Sequence, residues 1–244
     1  MYGYYRMTKG DYMNTTPIIG IVAKRLPEEG KRTDFRIREE MVNALVDNGA
    51  LVIGIMPSKS DKFVDIEYCF EDMTEEAKCD LYSLVDICDG IVFEGGSISE
   101  KYEPIIAKYT FEKDIPTLGI CAGQNNMARA LGGKVRKLEN NNHMKIWEEY
   151  VHSIDIDKTS KFYSIVKTTE MKVNSRHFNV VDEFPGYLVA AKDEEGNVEV
   201  IEAKDKLFNI AMRFHPESLY KTDEKHTAIF KAFIDACIKY KNLK

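Results

Sequence analysis

The segment Gly119-Ile120-Cys121-Ala122-Gly123 sets a thiol among small residues, and the chemistry this allows is nucleophilic attack on a carbonyl carbon. A thiol attacks an amide as the thiolate, so it needs access and a setting that stabilises negative charge. A strand running into residue 121 and a helix leaving it would supply both, because the helix N-terminus carries partial positive charge. The flanking glycines suit the tight strand-to-helix turn of a nucleophile elbow. During attack the carbonyl oxygen becomes negative and needs two backbone donors. The N–H of Ala122, with one from Gly95 or Gly96 at the end of a neighbouring strand, could serve. The competing reading is a small packed hydrophobe, as expected for Cys88 and Cys237. Two glycines around the thiol exceed what a purely structural turn requires.

A base must reach the sulfur, and Phe214-His215-Pro216-Glu217 offers one. Pro216 disfavours helix at His215, and in extended chain residues two apart project to the same side. Glu217 could then hold one imidazole nitrogen while the other faces the thiol. The tripeptide alone is a weak signal, and its weight comes from the elbow. His177, in Val173-Asn174-Ser175-Arg176-His177, either offers polar groups to a substrate pocket or satisfies a buried loop. His143, His152 and His226 are assigned to solvent or to local hydrogen bonds, because their spacings match no short metal motif, and no metal is expected. Glu148-Glu149 reads as a solvated face.

These side chains need elements to position them. Ile18 to Ala23 is continuously apolar after Pro17, as in a strand covered on both faces. From Asp34 onward Ile37, Met41, Ala44 and Leu45 form a helical stripe ending near Gly49, and Leu51 to Met56 reads as a second buried strand. Thr74 is a candidate N-cap for a helix carrying Leu81, Val85 and Cys88. Gly90 to Phe93 is a third strand, a helix follows around Ile105 to Lys113, and Pro116 to Ile120 is a fourth strand leading into Cys121. The helix after it stops at Gly132-Gly133. Later, Ser153 to Ile156, Met171 to Val173, Tyr187 to Ala191, Val198 to Ala203 and Ile210 to Phe214 read as short strands with turns such as Glu195-Gly196-Asn197, so the second half is richer in antiparallel structure. Asn140-Asn141-Asn142 reads as a loop. Thr222 to Tyr240 reads as a closing helix with Phe230, Phe233, Ile234 and Cys237 on one side. The class is α/β, with a mostly parallel central sheet.

The totals set bounds. The chain has 244 residues, 44% of them hydrophobic, enough for a large core in a single domain over residues 17–244 after an extension at 1–16. A net charge of -6 gives no general attraction to nucleic acid or anionic lipid. Five cysteines without CxxC spacing support neither a disulfide framework nor zinc, and a reducing cytoplasm fits. No run reaches the roughly 18 apolar residues of a membrane span, and Met1 to Thr16 lacks the core of a signal peptide. A glycosylation acceptor at Asn14-Thr15-Thr16 is discounted with the compartment.

Taken together, the segments resemble the class I glutamine amidotransferases, and within them the branch of gamma-glutamyl-gamma-aminobutyrate hydrolases and gamma-glutamyl hydrolases, the C26 peptidases. The similarity runs from about Pro17 to the last helix. It is carried by Pro17-Ile18-Ile19-Gly20-Ile21, Asp89 to Gly96, Pro116 to Gly123, Val173 to His177 and Phe214 to Glu217. The resemblance implies a flavodoxin-like sheet and a Cys121, His215, Glu217 triad. It also implies hydrolysis of a small gamma-glutamyl compound through a thioester, with no metal or organic cofactor and no nucleic-acid or membrane partner. A homodimer is left open. A glutaminase subunit feeding ammonia to a separate synthetase, or a catalytically silent binding protein, would share the same signature. By resemblance the substrate side falls to Gln124, Asn125, Asn174, Ser175 and His177. The family glutamine four places after the nucleophile is Asn125 here, with Gln124 one step early. Arginine often follows the nucleophile in the hydrolase branch, where this chain has Ala122. Ser97-Ile98-Ser99-Glu100 replaces the usual Asp-containing segment, and Asn179 stands in place of a glutamine.

Overall fold

The computed structural model describes residues 16–26, 34–57, 73–96 and 101–244. Among the described residues nine strands join one sheet. Its parallel part consists of β1 (Ile18–Val22), β4 (Leu51–Ile55), β5 (Gly90–Phe93), β6 (Thr117–Ile120) and β13 (Asn209–Met212), in the order β4-β1-β5-β6-β13. Beyond β13 the sheet turns antiparallel through β12 (Val198–Glu202), β11 (Leu188–Asp193), β8 (His152–Ile156) and β9 (Glu170–Val173). Two small ribbons stand apart, β2 (Lys24–Leu26) with β3 (Asp34–Arg36) and β7 (Lys134–Lys137) with β10 (Asn179–Glu183). The mixed parallel and antiparallel sheet agrees with the expectation from sequence.

Helices cover both faces, which is why β5, β6 and β13 are buried throughout. On one face α1 (Glu39–Asp47), α5 (Lys161–Val166) and α6 (Glu224–Lys241) bring Met41, Leu45, Phe162, Phe230 and Phe233 against Ile19, Ile21, Val92 and Ile120. On the other, α2 (Glu75–Asp86), α3 (Tyr102–Lys113) and α4 (Ala122–Ala130) bring Leu81, Ile106 and Met127 against Ile91, Phe93 and Ala211. The α2 start is capped as the sequence indicates, Thr74 Oγ1 accepting from the Ala77 N–H at 3.2 Å. Cys88 and Cys237 are core residues. Among the described residues no helix is long and apolar enough to cross a membrane.

Two readings from sequence need correction. The Leu51 strand is not buried: among the described residues β4 has one strand neighbour, β1, and Leu51 is 57% exposed. An apolar run specifies a strand but not whether another strand flanks it. The helix read from Asp34 starts at Glu39, because Asp34–Arg36 pairs with Lys24–Leu26 as a ribbon. The short helix α5 and the ribbon of β7 and β10 had no periodic signal long enough to read. The N-terminal extension, Cys69 and Ser97 to Glu100 lie outside the described residues.

One pairing matters most for function. The chain returns after nearly ninety residues to lay β13 parallel against β6, pairing Met212 with Ile120. The Cys121 N–H donates to the Met212 carbonyl at 2.8 Å, so whatever follows β13 emerges beside Cys121.

Candidate active site

Cys121 occupies the junction between β6 and α4 with φ 50° and ψ -103°, a positive φ on a residue with a Cβ. Such backbone costs on the order of 1–3 kcal/mol and persists only where the surroundings enforce it. Here the enforcing contacts are the β13 hydrogen bond to its N–H and the close packing of α4 on β5. A Cβ on Gly123 would collide with the Phe93 carbonyl oxygen, so glycine lets the helix approach the strand. The thiol therefore projects at the helix N-terminus, where partial positive charge favours the thiolate.

His215 lies three residues beyond β13, with φ -111° and ψ 84°. Asn174 clamps it: the His215 N–H donates to Asn174 Oδ1 at 2.7 Å, and Asn174 Nδ2 donates to the His215 carbonyl at 2.8 Å. Its ring Nδ1 lies 2.7 Å from Glu217 Oε1, both groups buried. With Nδ1 engaged by the carboxylate, Nε2 is left for the sulfur, and the Cys121 and His215 side chains are hydrogen-bonded. The contact expected between His215 and Glu217 is present, but through a different backbone: Pro216–Ser218 is a single 3-10 turn rather than extended chain.

The charges reinforce one another. Burial opposes ionisation of Cys121, yet the His215 hydrogen bond and the positive charges of His215 and Arg213 outweigh it, bringing the thiol down to about 7. Burial would lower His215, but Glu217 and the bond to Cys121 raise it to about 10. Burial raises Glu217, and the His215 charge and hydrogen bond more than reverse that. The three groups favour a thiolate–imidazolium–carboxylate row. Cys88, without such partners, is pushed up to about 12 by burial.

Gly95 lies directly over this pair. A Cβ there would stand 2.6 Å from His215 Cε1 and 3.2 Å from Cys121 Cβ, so only glycine lets the loop pass so close. Gly96 is turned instead toward the Lys24 stem, 3.2 Å from a built Cβ to Lys24 Cδ. Ala122 is the first residue of α4. Glu94, just before the glycines, accepts from the Arg38 N–H at 3.0 Å, and burial, with the nearby Glu217 charge, raises it to about 7.

The residues read as the substrate side are turned inward. Gln124 Nε2 donates to the carbonyls of Glu199 and Ala211, at 3.1 and 3.3 Å. Asn125 Oδ1 accepts from Arg213, whose Nη1 also donates to the Cys121 carbonyl at 3.0 Å. Asn174 braces His215, Ser175 Oγ sits 3.2 Å from His143 Nδ1, and His177 faces Glu199. Each is buried, and Gln124, Asn125, Asn174 and Ser175 engage protein groups. Arg213 was missed; its signal was a charge inside the apolar run Ile210-Ala211-Met212-Arg213-Phe214. A solvent position for His143 and His226 also fails, since both are buried, and His143 and His152 converge with His177 on Asp193 and Glu199.

A thiol at an elbow, facing an oriented imidazole on a doubly covered α/β sheet, is the arrangement of cysteine amidohydrolases, and the chain belongs to the class I glutamine amidotransferase superfamily. The profile described as Peptidase C26 matches residues 99–217. One component of the glutamine-hydrolyzing GMP synthase of Sulfolobus acidocaldarius, named as a separate subunit of that enzyme, is 30% identical over 155 residues, covering 62% of this chain and 78% of that protein. The glutamine-hydrolyzing GMP synthase of Clostridium tetani is 34% identical over 132 residues, 52% of this chain and 24% of that one. The chain spans between 24% and 36% of the length of the GMP and CTP synthases it matches first. In fold it is similar to the glutaminase domain of Trypanosoma brucei CTPS, with a TM-score of 0.64 at 19% identity, covering 92% of this chain and 94% of that one.

Proposed function

We propose that this chain hydrolyses the side-chain amide of glutamine and releases the ammonia to a separate synthetase. The observation that carries the chemistry is the buried row of Cys121, His215 and Glu217 at the ends of adjacent parallel strands. The thiolate attacks the amide carbonyl, forming a C–S bond, and the oxyanion accepts from the backbone N–H groups of Ala122 and Gly95. His215 protonates the departing nitrogen, the C–N bond breaks, and a glutamyl thioester remains on Cys121. Water, deprotonated by His215, then releases glutamate. Glu217 orients the imidazole throughout. Residues 17–244 act as one catalytic unit in this reading, supported by the single nine-stranded sheet.

The synthetase partner is supported by the Sulfolobus relative, which is by name one subunit of its enzyme, and by the synthases among the other relatives. A second reading, a free hydrolase of gamma-glutamyl amines such as gamma-glutamyl-gamma-aminobutyrate, is favoured by the Peptidase C26 match and by Val173 to His177. Glutamate release by the purified protein alone, from each substrate, separates the two. Faster release from glutamine supports the first, and a preference for the gamma-aminobutyrate amide supports the second. Failure of a glutamine-like electrophile to label Cys121 would overturn both and leave a binding protein of the same fold.

A further inference from the structure

Outside the triad, a group of ionisable side chains gathers around Glu199 among the described residues. His143 comes from the loop after β7, His152 from β8, Asp193 from the end of β11 and Glu199 from β12. One ligand atom from each lies within 4.8 Å of all the others. His143 Nε2 is 3.3 Å from Asp193 Oδ2, and His152 Nε2 is 3.6 Å from Glu199 Oε1. His177 Nε2 also stands 3.6 Å from Glu199 Oε1, while Glu195 Oε2 closes the rim 3.9 Å from His143 Nε2.

The group is incomplete in a way that points to a cation. Glu199 is fully buried, yet neither carboxylate oxygen has a hydrogen-bond partner, and both ring nitrogens of His152 and of His177 are likewise unsatisfied. A buried carboxylate without a hydrogen bond is costly, and folded proteins leave few such atoms. The outer contacts already suit metal ligation. His143 Nδ1 meets Ser175 Oγ at 3.2 Å, which fixes the ring and leaves Nε2 facing the group. Asp193 is oriented by the Asn197 N–H and side-chain amide at 2.7 and 2.8 Å.

We propose that His143, His152, Asp193 and Glu199 bind one divalent transition metal of the zinc class, with His177 beside it. Two imidazoles and two carboxylates suit zinc, iron or nickel better than magnesium or calcium, which prefer all-oxygen shells. Ligand bonds of about 2.0–2.2 Å imply tetrahedral edges near 3.4 Å, so the widest pair must close by on the order of 1 Å. Four protein ligands close the shell, so the metal is structural. It ties the loop carrying His143 to β8, β11 and β12 behind the Asn174 to His177 segment that clamps His215. This site does not depend on the proposed reaction.

The test uses the full chain with Cys121→Ala, which removes the reactive thiol as a competing ligand. After equilibration with zinc and exhaustive dialysis, elemental analysis should find about one zinc per chain. Cobalt substitution should give an intense visible band without sulfur charge transfer. Glu199→Gln and, separately, the half-buried His152→Ala should each lower retained zinc at least tenfold. Chelation should lower the Tm of the parent but not of these variants. Cobalt spectra of the parent decide the matter even if a variant fails to fold. Zinc below a tenth of an equivalent, a six-coordinate cobalt spectrum, or zinc retained in both folded variants would overturn the proposal.

Discussion

Two buried histidine–carboxylate groups sit on the same sheet and differ in finish. At His215 and Glu217 the partners are two residues apart, the contact is 2.7 Å, and Asn174 holds the backbone from both sides. Around Glu199 the histidines come from separate elements, stand 3.6 Å away and leave polar atoms unsatisfied. The first is a complete device whose charges support one another. The second gathers four metal-ligand-type side chains at longer contacts that leave polar atoms unsatisfied. Proximity in sequence allows a tight contact to be specified by one turn, whereas a dispersed group depends on what is placed at its centre.

The sharpest way to break this contrast is to remove one member from each. Cys121→Ala and His215→Ala should abolish amide hydrolysis, with Glu217→Gln leaving a residue of activity some 10²–10⁴-fold below the parent, because it orients and does not react. Steady-state rates check this, and full activity in His215→Ala would refute the role of the row. Glu199→Gln should change kcat much less than Glu217→Gln while shifting Tm; an equal loss of kcat would erase the distinction between the two groups. Smaller is the effect of Arg213→Met. Loss of that charge should raise the Cys121 thiol, so the iodoacetamide labelling profile, which in the parent rises through about 7, should move to higher pH. Parent turnover should fall as pH passes about 10, where His215 loses the proton that the leaving nitrogen needs. Cys88, at about 12, should stay unlabelled across that range in the folded protein. The smallest change is Thr74→Ala, remote from both groups, costing about 1 kcal/mol of stability by chemical denaturation and leaving labelling untouched.

The alternation of strands and helices up to Cys121 was legible because buried parallel strands are apolar runs and their helices carry one-sided stripes. The site was legible where its parts are contiguous: the elbow around Cys121, the pair at His215 and Glu217, and Gly95 at a strand end. What could not be read depends on neighbours that sequence does not name. Leu51 to Ile55 has the composition of an inner strand and pairs only with β1 among the described residues. Gln124 and Asn125 sit about one helical turn from Cys121, and only the position of β12 and β13 shows that they point into the protein. His143, His152 and His177 share no periodicity, since the antiparallel half of the sheet brings them together.

The insertion of β13 between β6 and β12 has a consequence for the order of events during synthesis. When the ribosome has delivered residue 121 and the helix after it, the strand neighbour that pins the bend, the arginine and the imidazole do not yet exist. The thiol is then an ordinary one, mostly protonated at neutral pH. In the proposed mechanism it becomes reactive only when β13 and the residues after it settle beside β6. Activation in that mechanism is thus coupled to completion of the fold, and a half-made chain carries no live nucleophile.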